Sequence, residues 1–386
     1  METPKAVSAI LFLCLFAAQA GAIALSPLLV EVARDLDVST AAAGQLRTVA
    51  GLVAGAAALA LGRFGNRVGL GRQLLAGSLL LALGSVLSAA SPGFVLLAMS
   101  QVPVGAGIGI LTTAGTLAAA EWAPPDYRSI VLSRALIGQP FAWIVGMPLI
   151  GVAGEASWRY AWLAFPLLAA VLAAAAVAKR REAAPALSAP TQLRTALAAP
   201  EVRRWLAADV LANTGWAGTL VYAGALFVQS YGTSAGVTGM LLAIGAGAYV
   251  VGNRALRRFA DTEPWPWLMG LALQLAAAVF VFWSVRSSLA LSTALFAAAA
   301  FAAGGRALLS SAYGLSLAPE VRSEAMAMRS ATMQFGYFTG SLAAGTALAL
   351  GGYPVLGTTI GVLFLGAALV VRPRVVPVGA TALGPR

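Results

Sequence analysis

Twelve times along this chain the sequence runs for about twenty residues or more almost without charge, at roughly 6–32, 41–62, 72–91, 94–119, 129–151, 159–178, 205–229, 236–256, 266–285, 289–317, 324–350 and 353–371. About 20 helical residues cross the ~30 Å hydrocarbon core of a bilayer. In hydrocarbon, a helix bonds its own backbone N–H and C=O groups within the segment. The rest of the chain cannot wrap twelve such helices in polar surface: of 386 residues 60% are hydrophobic and 10% charged, with mean hydropathy +0.84, against ~25% charged in a soluble domain. The expected fold is an all-α polytopic membrane protein with twelve transmembrane helices and no large soluble domain.

The runs come as six, a gap and six more. The gap holds Lys179-Arg180-Arg181, Pro185, Pro190 and Pro200 and reads as a linker. The domains expected are a six-helix bundle at 1–178, a cytoplasmic linker at 179–204 and a second bundle at 205–386. Basic residues orient the spans. With the N-terminus cytoplasmic, eighteen Lys and Arg fall on that side and only Arg34, Arg159 and Arg286 on the other, while Arg47, Arg134, Arg306 and Arg329 lie inside spans, which accounts for all 25. A multi-pass protein of the cytoplasmic membrane with both termini cytoplasmic is expected. The net charge of +11 is then mostly this positive-inside signal, scattered singly rather than gathered on a face, so no nucleic-acid partner is implied. Histidine is absent and Cys14 is the only cysteine, which leaves no disulfide framework or zinc site, and no metal or cofactor is expected. Lys5, the apolar stretch after it and Ala18-Gln19-Ala20 have the look of a secretory signal, but the run continues to about Val32 and reads as an uncleaved first span.

The two sets of six repeat one another. Pro125-Asp126-Tyr127-Arg128-Ser129 and Pro319-Glu320-Val321-Arg322-Ser323 stand 194 residues apart, and at the same offset Gly146 meets Gly340 and Gly151 meets Gly345. Ser39 with Gly44 matches Ser234 with Gly239 at an offset of 195, as Arg63-Phe64-Gly65-Asn66 matches Arg258-Phe259-Ala260-Asp261. The expected bundles are therefore pseudo-symmetric copies of one six-helix unit.

Between spans two and three stands Gly62-Arg63-Phe64-Gly65-Asn66-Arg67-Val68-Gly69-Leu70-Gly71-Arg72. It resembles the loop signature of the major facilitator superfamily, Gly-x-x-x-Asp-Arg-x-Gly-Arg with a trailing basic residue. Gly62, Arg67, Gly69 and Arg72 match; Asn66 replaces the acidic residue and Leu70 the second basic one. Gly146-Met147-Pro148 with Gly151, and Trp158-Arg159-Tyr160-Ala161-Trp162, resemble spans five and six of the drug:proton antiporter branch. The resemblance implies a secondary transporter whose two halves rock about a central site. It also implies a loop carboxylate that latches the halves on the cytoplasmic side. Asn66 cannot supply that charge, so the latch is expected to depend on Asp261. Read without the family, the loop is a tight basic turn held at the headgroups. Gly138, Pro140, Gly146, Pro148 and Gly151 suit either a rocking interface or close packing in span five, and Gly105, Gly107 and Gly109 read as packing.

Polar side chains deep in a membrane must face a cavity or a partner. At ~1.5 Å per residue, Gln19, Gln139, Asn213, Trp216, Arg306 and Gln334 fall near mid-depth, with Trp143, Tyr222, Tyr313 and Tyr337 a turn or two away. As a set they are expected to line the substrate site, although each alone fits interhelical bonding. Gln101 joins them, at the position where the antiporter branch has an arginine. Glu31 and Asp209 are the carboxylates placed to carry a proton, and Arg47, Arg134 and Arg329 the cations placed to gate, the last two as partners of Asp209. Intramembrane arginines outnumber carboxylates, which favours a neutral or anionic small-molecule substrate, with Arg306 to meet an anion. No nucleophile–base set and no phosphate-binding Gly-x-x-x-x-Gly-Lys-[Ser/Thr] loop is present, so neither an enzyme nor a primary pump is expected. The expectation is an exporter acting as a monomer, with proton coupling open; an uncoupled facilitator, an importer, or a non-transporting receptor or assembly factor remain alternatives.

Overall fold

The computed structural model describes residues 3–64, 68–178, 198–260, 262–317 and 319–371. The described residues are helical almost throughout and contain no strand. The first six long helices are α1 Pro4–Ile23, α2 Thr40–Phe64, α3 Leu70–Ala90, α4 Phe94–Trp122, α5 Ile130–Ala156 and α6 Trp158–Ala178. Then follow α7 Pro200–Tyr231, α8 Ala235–Ala255, α9 Pro264–Ser284 and α10 Leu289–Ser316. Two more, α11 (319–350) and α12 (353–370), are separated by the non-helical pair Gly351 and Gly352, the latter at φ 67°. Among the described residues ten helical segments are long and apolar enough to span a membrane, 331–370 being one of them. Dividing that segment at its glycines and adding α7, whose hydropathy is lowered by Asn213, Thr214, Trp216 and Thr219, gives the twelve spans.

Local chemistry sets several boundaries. The hydroxyls of Ser39, Ser234 and Ser288 accept from the N–H groups of Ala42 (3.1 Å), Val237 (3.3 Å) and Leu291 (3.2 Å), capping α2, α8 and α10. Ser39 and Ser234, equivalent in the sequence repeat, thus do the same work. Pro200 opens α7 at the position where its missing N–H costs least, so the end of the expected linker, Glu201 to Arg204, is already helical. The remainder of that linker, 179–197, lies outside the described residues. The apolar run at 6–32 is divided: α1 stops at Ile23, and a separate short helix, Leu29–Asp35, follows a turn. Pro27 explains the break, since it has no N–H to donate and disfavours helical geometry at Ser26.

Leu79, Val95, Met99, Val152, Leu350 and Leu369 are exposed on the outside of the bundle, as a lipid-facing surface requires. Inside it, a Cβ on Gly105 or Gly109 of α4 would run into the backbone carbonyls of Ala50 and Ala54 on α2, so these glycines set how closely the two helices approach.

The first six helices meet the last six along two main seams, α2 with α11 and α5 with α8. The end of the bundle opposite the one where α6 ends and α7 begins, here the far end, is where they join. Gln45 Nε2 donates to Ser341 O (3.3 Å), Tyr222 Oη to Ala41 O (3.1 Å) and Gln229 Nε2 to Thr40 Oγ1 (2.8 Å). Glu155 Oε1, on α5, accepts from Ser234 Oγ (2.5 Å) and Gly236 N (3.1 Å) at the start of α8. Four of the six repeat-related glycines sit where the two sets meet, Gly151 against Ala235, Gly239 against Met147, Gly44 against Tyr222 and Gly345 against Gln45, while Gly146 packs on Phe165 and Gly340 on Thr214 within their own sets. These five hydrogen bonds between the two sets lie toward the far end.

Candidate functional site

Below the far-end seams, side chains from both sets of helices converge on Tyr337 of α11. Arg47 of α2 is 3% exposed and places its guanidinium carbon 4.5 Å from the centre of the Tyr337 ring. Its Nε and Nη2 are buried without a hydrogen-bond partner. Among the described residues no carboxylate lies within ion-pair distance of it. Gln19 of α1 reaches the Tyr337 side chain, yet its amide Nε2 is otherwise unbonded, as is Oε1 of Gln334, one turn before Tyr337. Such unmet polar atoms are costly in a buried setting and call for a partner.

Beside this polar group runs an aromatic chain. Trp143 of α5 and Tyr249 of α8 have ring centres 6.2 Å apart across the two sets of helices. Tyr249 stacks on Trp216 of α7 at 6.4 Å, and Trp216 on Phe296 of α10 at 6.2 Å. Gln139, half-buried, stands four residues before Trp143 and so on the same helix face.

Toward the linker end lies a buried ionic cluster confined to the second set. Asp209 of α7, 1% exposed, pairs with Arg306 Nη2 of α10 through Oδ1 (2.9 Å) and with Arg329 Nε of α11 through Oδ2 (3.0 Å). Ser310 Oγ donates to Asp209 Oδ1 (2.8 Å) and accepts from Trp205 Nε1 (2.7 Å). Arg306 also donates to Ala208 O and Arg329 to Ala307 O. Asn213, one turn on from Asp209, donates to Thr332 Oγ1 (3.2 Å). Two cations on one carboxylate leave the cluster with one surplus positive charge. Tyr249 lies within electrostatic range of Tyr337, Asp209, Arg306 and Arg329.

Of the residues singled out from sequence, Gln19 and Tyr337 come together with Arg47, expected to gate, Trp143 and Trp216 are joined through Tyr249, and Gln334 stands one turn before Tyr337 on α11. Arg306, expected to await an anion, is already paired with Asp209, as is Arg329. Arg134 is not part of that cluster: it is exposed and shares a groove with Lys5, Ser8 and Phe12. Gln101 is buried within the first set, donating to Ser88 Oγ (3.2 Å) and Leu97 O (3.3 Å). Tyr222 belongs to the far-end seam, and Tyr313 packs on Trp205 and Trp265. Glu31 lies on the short helix after α1, with Oε2 buried and unbonded. Gly62 is in the last turns of α2, Gly69 precedes α3 and Arg72 is exposed in its first turn. Asn66, Arg67 and Asp261, the expected latch residues, lie outside the described residues. Sequence reasoning missed Tyr249 and the carboxylate of Glu155. A tyrosine within the apolar α8 run was the available signal for the first; the second, at a helix end, had none.

The sequence profile of the Major Facilitator Superfamily matches residues 11–289. Among solved structures, a bacterial homologue of the human lysosomal transporter Spinster, in an inward-facing and unoccupied conformation, is similar with a TM-score of 0.75, at 13% identity over 95% of this chain and 94% of that one. A D-xylose–proton symporter is similar with a TM-score of 0.74, at 17% identity over 96% of this chain and 98% of that one. At such identities the likeness speaks for the fold.

Proposed function

The chain belongs to the Major Facilitator Superfamily, and from that premise we propose that it is a secondary transporter moving a small neutral or anionic solute by alternating access. The observation that carries this reading is the asymmetry of the joint. Hydrogen bonds and close-packed glycines tie the two sets of helices at the far end, while unbonded polar atoms of Gln19, Arg47 and Gln334 collect below it. With the linker end cytoplasmic, this is a state closed to the outside, and rocking about the two seams would expose the same group to the other face. We place transport in the outward direction and couple it to protons, with Glu31 and Asp209 as the carboxylates available to carry them; Glu31 Oε2 is buried without a hydrogen-bond partner, whereas Asp209 is already paired with Arg306 and Arg329.

The test is flux in liposomes holding the purified full-length protein, with and without an imposed pH gradient. Saturable solute flux that the gradient accelerates is expected. Saturable flux indifferent to the gradient would leave an uncoupled facilitator. Flux no faster than in protein-free liposomes across a panel of sugars, organic acids and neutral amphiphiles would refute the reading.

A further inference from the structure

Three arginines among the described residues are buried or nearly so within the spans near the site, and they are not equivalent. Arg306 and Arg329 share the Asp209 carboxylate at 2.9 and 3.0 Å. Arg47 has no carboxylate within reach among the described residues, and two of its nitrogens have no acceptor. A desolvated guanidinium without a counter-ion is among the least favourable arrangements a membrane protein can hold. The Tyr337 ring face at 4.5 Å offsets part of that penalty without neutralising the charge. A planar, unpaired guanidinium is the group best suited to grip a carboxylate through two parallel hydrogen bonds.

We propose that Arg47 receives the anionic group of the substrate, and that the substrate class is a small monoanion with a flat apolar body, such as an aromatic or conjugated carboxylate. This deepens the transporter reading and rests on it. The unbonded Gln19 Nε2, beside the same tyrosine, donates to the carboxylate as a second anchor. The flat body lies against Trp143 and Tyr249, whose rings are 6.2 Å apart and tilted by 41°, with the edge of Trp216, itself stacked between Tyr249 and Phe296, beside them. One negative charge matches the one unpaired cation, and the second charge of a dianion would meet no unpaired arginine. A cationic ligand would be repelled by Arg47 and by the surplus charge of the Asp209 cluster.

The experiment uses the purified full-length protein, with cinnamate and 2-naphthoate as probes, their primary amides as neutral isosteres, and benzylamine as the cation. Binding is read by quenching of tryptophan fluorescence and by the shift of the thermal transition. The acids are expected to bind at least tenfold more tightly than the amides, and benzylamine not to bind. Arg47→Gln should abolish the preference for acid over amide, and Arg47→Lys should keep part of it. Gln19→Glu, which supplies a counter-ion internally, should raise the thermal transition of the free protein and suppress acid binding; it keeps the proposal testable should Arg47→Gln not fold. No response to either acid, equal binding of acid and amide by the wild type, or unchanged acid selectivity in Arg47→Gln would each overturn the assignment. The transporter reading fails separately. Arg47-dependent binding with no flux of any solute in liposomes would leave the anion site standing without transport. Saturable flux with no dependence on Arg47 would leave transport standing without this site.

Discussion

Replacing Asp209 with asparagine would remove the single negative charge that holds two buried arginines. The side chain is 1% exposed, and Arg306 and Arg329 are 6% and 12% exposed, so water cannot take over the lost solvation. Breaking a buried ion pair by deleting one partner costs about 3–5 kcal/mol, because the remaining charge stays buried and uncompensated. Here two cations are left, 2.9 and 3.0 Å from an amide that can no longer attract them, so Asp209→Asn is expected at the upper part of that range. Asp209→Asn with Arg306→Gln returns the cluster to one surplus charge and should recover about half of the loss or more, a coupling of ~2 kcal/mol. Equilibrium unfolding in mixed detergent micelles, run as a double-mutant cycle, measures both quantities. A loss under ~1 kcal/mol for the single variant, or a double variant no more stable than the single, would refute the view that charge balance holds α7, α10 and α11 together.

Glu155→Gln keeps the shape at the far-end seam but removes a charged acceptor at the start of α8. It should shift the balance toward the state open at the far end by ~1 kcal/mol, read as longer spin-label distances across α5 and α8. Gly239→Val places a side chain into the backbone of Met147 and should prevent far-end closure, so that a thiol reagent reaches a cysteine engineered below the seam; unchanged labelling would contradict the seam assignment. The Trp158 indole and the Arg159 guanidinium hold the Asp35 carboxyl below its ordinary range. That contribution is fully present above the unfolded carboxylate range near ~4 and is lost as pH falls through the lower folded value. Asp35→Asn should therefore lower thermal stability slightly at neutral pH and not at all in strong acid, the pair being half-exposed.

Much of this molecule could be read before any coordinates. The length of the apolar runs dictated helices, because lipid offers backbone groups no partner. The repeat at a near-constant offset marked equivalent positions such as Ser39 and Ser234, which cap equivalent helices because capping is a local event. The same repeat picked out six glycines alike, though not that Gly44, Gly151, Gly239 and Gly345 line the joint between the two sets of helices while Gly146 and Gly340 pack within their own. That knowledge requires two surfaces far apart in sequence to be brought together.

The candidate site divides in the same way. Sequence could say which polar residues lie deep, since depth is counted along one helix. It could not say which way each faces, and a rotation of 100° per residue separates Gln101, bonded within its own bundle, from Gln19, beside Tyr337 of the other. Nor could it say which arginines are neutralised. Arg47, Arg306 and Arg329 are equally out of place in an apolar run, and only packing brings Asp209 to two of them. The number and nature of the spans belonged to the sequence, because hydrophobicity and backbone bonding act along the chain. The partner of each buried charge belonged to the tertiary structure, because an ion pair depends on a few ångströms between helices that the order of residues does not encode locally.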